Sequence, residues 1–202
     1  MAKKKDFIPN AFPSSAIRRP MTLRTRGAQE ALRRSWENAN TTLFIANVLM
    51  YVWDEEAGDV LNEKIDAELA DTKKKLEDEI AAYGKALDDS GVVSDIQREH
   101  QESVLYPRTP KAEKVCGLIE KLDELTALME ESWYGGVITD RKYRSAMFNW
   151  RQMVVKSINR IRQWTATAAN AARENLNEDE RKAQDEKARS LVGEAEAAVE
   201  VA

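Results

Sequence analysis

The sequence predicts a mainly α-helical chain, with one short β-strand and two helices near the N-terminus and a long antiparallel helical extension behind them. Three observations carry this. Glycine (8) and proline (5) are scarce in 202 residues, too few for the many turns of a β-sandwich or barrel. Charged residues reach 33% beside 43% hydrophobic, the balance of amphipathic helices. Apolar residues recur at threes and fours over most of residues 59–164. One cysteine excludes an intrachain disulfide framework and a multi-cysteine zinc site, and one histidine removes most metal and acid–base chemistry. No catalytic residue, metal or cofactor is expected, and no small-molecule ligand is evident.

Residues 1–20 carry Pro9, Pro13 and Pro20 and no helical period, so they read as an extended arm. MTLRTR (21–26) alternates, with Met21, Leu23 and Thr25 on one face and Thr22, Arg24 and Arg26 on the other; Pro20 suits a strand start. Gly27 ends the strand, and residues 28–36 read as a short helix with Ala28, Ala31, Leu32 and Trp36 inward. NANTT (38–42) reads as a break in which Asn40 or Thr41 caps the next helix, 42–54, apolar on nearly every face. An uninterrupted helix from 28 to 54 is the alternative, since Leu32, Trp36, Leu43 and Met50 could share a stripe.

A long helix over about 59–88 follows from Leu61, Ile65, Leu69, Leu76, Ile80, Tyr83 and Leu87. Residues 89–110 break it, with Ser90–Gly91, Pro107 and Pro110. A second long helix, about 111–133, carries Val115, Leu118, Leu122, Leu125 and Met129, and Gly135–Gly136 makes a hinge or cap. A third begins near Thr139–Asp140 and runs through Tyr143, Met147, Trp150, Val154, Ile158, Ile161 and Trp164. Short connections between such helices imply antiparallel neighbours. His100 is expected in an exposed polar loop, Cys116 as a small core residue, and the acids of 54–89 as a solvated face. The Glu/Ala/Lys-rich end, 175–202, reads as a frayed helix or a disordered tail.

Charge is distributed unevenly. The net charge is −4, yet residues 1–40 hold nine Lys or Arg against Asp6, Glu30 and Glu37, a net +6 that leaves −10 for the rest. A basic head on an acidic body suggests that only the head approaches a polyanion. For Lys3–Lys5 alone, a solvated basic tail is the plainer alternative.

A lone six-residue strand can neither satisfy its backbone hydrogen bonds nor bury its apolar face. No second convincing strand appears nearby, so the economical solution is a second copy of the chain. Two MTLRTR strands would pair antiparallel across a two-fold axis above four interlocked helices. Met21, Leu23, Leu32, Trp36, Phe44 and Val48 would form the dimer core, and Thr22, Arg24 and Arg26 would face outward twice over. A two-stranded ribbon fits the DNA major groove, where arginine pairs with guanine and threonine meets base edges. Asn40, Thr41 and Thr42 would offer N–H groups and hydroxyls to phosphate, and Arg18 and Arg19 would add salt-sensitive affinity. The arrangement resembles ribbon-helix-helix proteins. An edge strand or extended arm is the alternative reading of 21–26.

Two segments carry a wider resemblance. LRTRGAQEAL (23–32) supplies a Leu-x-Thr-Arg-x-Ala start in Leu23, Thr25, Arg26 and Ala28. GLIEKLDELTALMEESWYGGVITDRKYRSA (117–146) supplies a Gly-x-Ile-x-Asp-Arg turn in Gly136, Ile138, Asp140 and Arg141. In these motifs and their order, over roughly residues 20–165, the chain resembles the AcaB-like transcriptional activators of conjugative plasmids and integrating conjugative elements. The resemblance implies a ribbon-helix-helix head, a helical extension peculiar to the family and sequence-specific promoter binding.

The expectation is therefore a homodimeric, sequence-specific DNA-binding transcriptional regulator, by the resemblance an activator of transfer genes. Its organisation would be a flexible basic arm (1–20), a ribbon-helix-helix DNA-binding and dimerisation head (21–57), an extension of about three long helices (58–170) and a charged tail (171–202). Its partners would be double-stranded promoter or operator DNA and a second copy, with the acidic body free to build higher oligomers or to meet RNA polymerase. A helical scaffold protein of a conjugative element that never touches DNA is the alternative. The longest apolar run, Leu43–Trp53, is broken by Asn47 and is about half the length of a bilayer span. The basic start lacks an apolar signal region, so the expected location is cytoplasmic, with no membrane partner.

Overall fold

The first strand stops where a threonine hydroxyl can begin a helix. In the computed structural model, which describes residues 17–92, 96–174, 179, 180, 182, 183 and 186, β1 spans Arg19–Leu23. Thr25 is extended (φ −120°, ψ 140°) and its hydroxyl accepts from the Ala28 N–H, so Arg26 opens α1 (Arg26–Phe44) instead of ending the strand as expected. The expected break at 38–42 is absent. Ala39, Asn40 and Thr42 are buried there, and packing outweighs the weak helix propensity of Asn and Thr. The uninterrupted alternative holds as far as Trp53, through one widened turn. Residues Ile45–Leu49 are π-helical, with the Met50 N–H reaching back to the Ile45 carbonyl, and α2 (Met50–Trp53) completes the run. The Ala46 carbonyl, within this turn, accepts from Asn62 Nδ2 at 3.2 Å.

Asp54 is extended and caps α3 (Glu55–Ser90), its carboxylate accepting from the Ala57 N–H at 3.0 Å. Of the expected stripe, Leu61, Ile65, Leu69, Leu76, Tyr83 and Leu87 are buried and Ile80 is half-buried.

The next segment holds an element the sequence pattern does not announce. β2 (Gln101–Leu105) pairs antiparallel with β1, in a register running from Arg19↔Leu105 to Leu23↔Gln101. The expectation that β1 has no partner strand in its own chain is thereby corrected. QESVL buries only Leu105 and has no apolar alternation, and what it contributes is backbone hydrogen bonding. Arg98 anchors the approach to it, donating to Glu130 Oε2 and Glu131 Oε1 at 3.0 Å and to the Ala127 carbonyl at 3.1 Å.

Thr109 caps α4 (Pro110–Tyr134), accepting from the Ala112 N–H at 3.1 Å, and Pro110 opens the helix, where its missing N–H costs nothing. A tight turn follows, with Gly136 at φ 72° and the Val137 and Ile138 N–H groups donating to the Ser132 carbonyl. α5 (Asp140–Glu174) completes the fold.

Side-chain pairs give the helix directions. The run from α1 through α2 lies parallel to α5, because Gly27 meets Met147, Glu30 meets Arg151 and Trp53 meets Arg173. α5 is antiparallel to α3, as the pairs Thr72–Ser157, Glu68–Arg160 and Lys64–Trp164 require. α3 and α4 are neighbours but parallel: Asp66 reaches Lys111 and Lys114, and Lys73 shares a groove with Lys121 two turns further on. Antiparallel packing fails for this pair because its connection is long and detours through β2. One hydrophobic core runs from Met21 through α1, α3 and α4 to Ala172. No helix among the described residues is long and apolar enough to cross a membrane. Lys3–Lys5 and most of the C-terminal tail lie outside the described residues.

Candidate nucleic-acid interface

A buried carboxylate holds the junction between β1 and α1. Asp123 of α4 is 3% exposed and accepts from four donors. Its Oδ1 takes the Arg24 N–H at 3.0 Å, the Thr25 N–H at 2.8 Å and the Thr25 hydroxyl at 2.8 Å, while Oδ2 takes Arg24 Nε at 3.1 Å. The backbone is thus fixed where the strand turns into the helix, and Arg24 is aimed by one edge of its guanidinium while its side chain stays 45% exposed.

Around this junction stand the residues expected to face outward. Thr22 in β1, Arg24 in the link and Arg26 at the start of α1 are all exposed, and Arg26 is nearly free of cover, its side chain being 90% exposed. Residues opposite one another in a pair of strands share a face, so Pro20 and Thr22 are flanked by Val104 and Glu102. Glu102 places a carboxylate directly beside Thr22.

β1 also has a free edge, since the described sheet has two strands. The Ile17 N–H donates to the Pro107 carbonyl at 3.3 Å and continues the β1–β2 register, so odd-numbered residues turn their backbone groups toward β2. Pro20 and Thr22 therefore turn theirs away from it. A proline without an N–H suits that edge.

Other expected site residues are employed differently. Asn40 is buried in mid-helix, its Nδ2 donating to the Tyr106 carbonyl and its Oδ1 accepting from the Arg108 N–H, both at 3.0 Å. Thr42 is buried and Thr41 exposed, and because α1 continues through them they form no helix start with free N–H groups. Arg19 turns inward to Glu113 (2.7 Å) and Glu120 (2.8 Å) of α4, whereas Arg18 stays exposed. Met21, Leu23, Leu32, Trp36, Phe44 and Val48 are all buried, but within a single chain.

A second basic region was missed in the sequence. Residues 140–174 contain eight Lys or Arg against Asp140 and Glu174, so α5 carries +6 on a chain of −4. A local count over that window would have exposed it. Its Arg151 converges with Arg26 (3.3 Å) and Arg34 (3.9 Å) on the one carboxylate of Glu30.

Chemistry elsewhere is sparse. Burial, with Glu113 adding to it, pushes the Cys116 thiol up to about 12, so it is not a thiolate at neutral pH. His100 is exposed just ahead of β2. No group of three His, Cys, Asp or Glu among the described residues could hold a metal ion.

No protein-family model matches the sequence, and no curated protein matches it. Among solved structures the chain is similar to AcaB from uropathogenic E. coli, in a crystal structure of its selenomethionine form. The TM-score is 0.76 at 20% identity, over 93% of this chain and 100% of that one. The expected likeness to AcaB therefore holds at the level of architecture, and this chain has the AcaB fold along nearly its whole length.

Proposed function

We propose that this chain is a sequence-specific DNA-binding regulator that acts as a homodimer, two β1 strands joining by their free edges and entering the major groove. The observation that carries the reading is the exposed set Thr22, Arg24 and Arg26 beside an unpaired strand edge. Across a two-fold axis at Thr22 the two Thr22 residues would exchange N–H and carbonyl hydrogen bonds, giving a four-stranded sheet ordered β2–β1–β1–β2. Its outer face would present both copies of Thr22 and Arg24, with Arg26 at each border. The β1–β2 pair already buries Met21 and Leu23, so the second copy supplies a reading surface and not a missing core. The resemblance to AcaB-like activators favours activation of transfer genes as the output. The acidic α3, net −7 over residues 55–90, would remain clear of DNA and free to meet other proteins, RNA polymerase among them.

Selection of preferred duplexes from a random pool, followed by titration of the best one, tests this reading. Arg24→Ala and Arg26→Ala should each weaken discrimination by about 1–3 kcal/mol if their contacts to guanine are bidentate. Unchanged selectivity in both variants would refute base reading by this face. Glu102, opposite Thr22, favours the second reading, a helical scaffold that does not touch DNA, because a carboxylate there repels phosphate. Absence of any duplex complex even at low salt would select the scaffold.

A further inference from the structure

The positive surface does not end at the strand. Glu30 sits at the centre of three guanidiniums, those of Arg26, Arg34 and Arg151, so the cluster retains two uncompensated positive charges. Arg151 in turn lies 6.0 Å from the centre of the Phe148 ring, a large apolar side chain left 55% exposed. Arg144, Phe148 and Arg151 stand four and three residues apart, on one side of α5. Arg162 extends that side, and from Arg144 to Arg162 the stripe covers about 27 Å of helix. Arg144 is held only by Asp140, an exposed pair one turn away, and Arg162 has no ion pair among the described residues. Because α5 runs parallel to α1, the stripe continues along the bundle from the end where Arg26 stands beside the strand.

We propose that the α5 stripe of Arg144, Phe148, Arg151 and Arg162 is a second DNA-binding surface, which holds the phosphate backbone of duplex DNA flanking the segment that β1 reads. This rests on the DNA-binding reading given above. Charge complementarity selects the partner: a row of guanidiniums along a rigid rod, continuous with Arg26, matches a linear polyanion. Glu30 pre-organises Arg151 and Arg26 without neutralising the face. The Phe148 ring, set among arginines, would pack against deoxyribose, an apolar contact between two phosphates. Such contacts position the protein and carry no sequence information.

Salt titration of the full-length protein on a short duplex of arbitrary sequence tests this. The wild type should bind with a steep dependence on salt, and the Arg144→Ala/Arg162→Ala double variant should lower the slope by about 0.9 for each phosphate no longer neutralised. Phe148→Ala should reduce affinity several-fold at an unchanged slope. The Lys74→Ala/Lys85→Ala double variant on the acidic α3 removes the same two unit charges and should leave the slope as it was. If the wild type binds steeply and the Arg144→Ala/Arg162→Ala variant has the same slope, or if Lys74→Ala/Lys85→Ala lowers it equally, the α5 surface is excluded while DNA binding stands. If the wild type binds no duplex, the DNA-binding reading itself falls.

Discussion

Asp123 is a carboxylate removed from water and surrounded by two backbone N–H groups, a hydroxyl and a guanidinium, all belonging to Arg24 and Thr25. Replacing it by alanine would strand those donors in or near the core, so Asp123→Ala should destabilise the fold by about 3 kcal/mol in urea unfolding. Asp123→Asn keeps one acceptor oxygen and should recover part of that loss. A loss below about 1 kcal/mol for the alanine variant would mean that water replaces the carboxylate and the junction is not held as described. Single residues were legible in the sequence only in their burial. Alternation correctly put Met21, Leu23 and Thr25 inward and Thr22, Arg24 and Arg26 outward. It could not tell that Thr25 caps a helix, that Arg19 turns to Glu113 and Glu120, or that Asn40 clasps the chain between β2 and α4. A residue's side of an element is local information; its hydrogen-bond partner, about a hundred positions away for Arg24 and Asp123, is not.

At the scale of elements, the long helices α3, α4 and α5 follow from their apolar spacing, whereas the Asp54 and Thr109 caps that open α3 and α4 were not read from the sequence. Their mutual direction does not follow. The parallel α3–α4 pair is clamped where Lys111 and Lys114 meet Asp66. Burial alone would raise the Asp66 carboxyl, but hydrogen bonds from the two ammonium groups outweigh it and hold the group below its ordinary 3.8. A carboxyl lowered on folding stabilises the fold above its unfolded value and loses that contribution as pH falls through the lower, folded one. Asp66→Asn should therefore melt at a lower temperature than the wild type at neutral pH, with the gap closing in acid well below pH 3.8. A gap of equal size at both pH values would exclude the clamp. β2 was invisible for a related reason: five residues with one buried side chain have no period to detect, and pairing with β1 alone makes them a strand.

For the whole molecule, the decisive question is whether two copies meet by their free β1 edges, as proposed. The Thr22 N–H faces the free edge of β1 and takes no part in the ladder to β2, so Thr22→Pro should spare the fold of one chain while removing the central hydrogen bonds between two. Sedimentation should then report a monomer whose circular dichroism matches that of the wild type. A wild type that is itself monomeric, or a Thr22→Pro protein that still dimerises, would remove the edge-to-edge arrangement. The sequence by itself determined the helical class, the approximate spans of the long helices and the exposed faces of β1, because periodicity is a property of neighbouring residues. Only the tertiary structure decided that β1 completes its sheet within the chain, that α1 runs on through 38–42, and that the arginines of α5 stand beside those of α1. Each of these depends on which distant segments come together, and solvent exclusion and hydrogen bonding between such segments leave no regular trace in the spacing of either one.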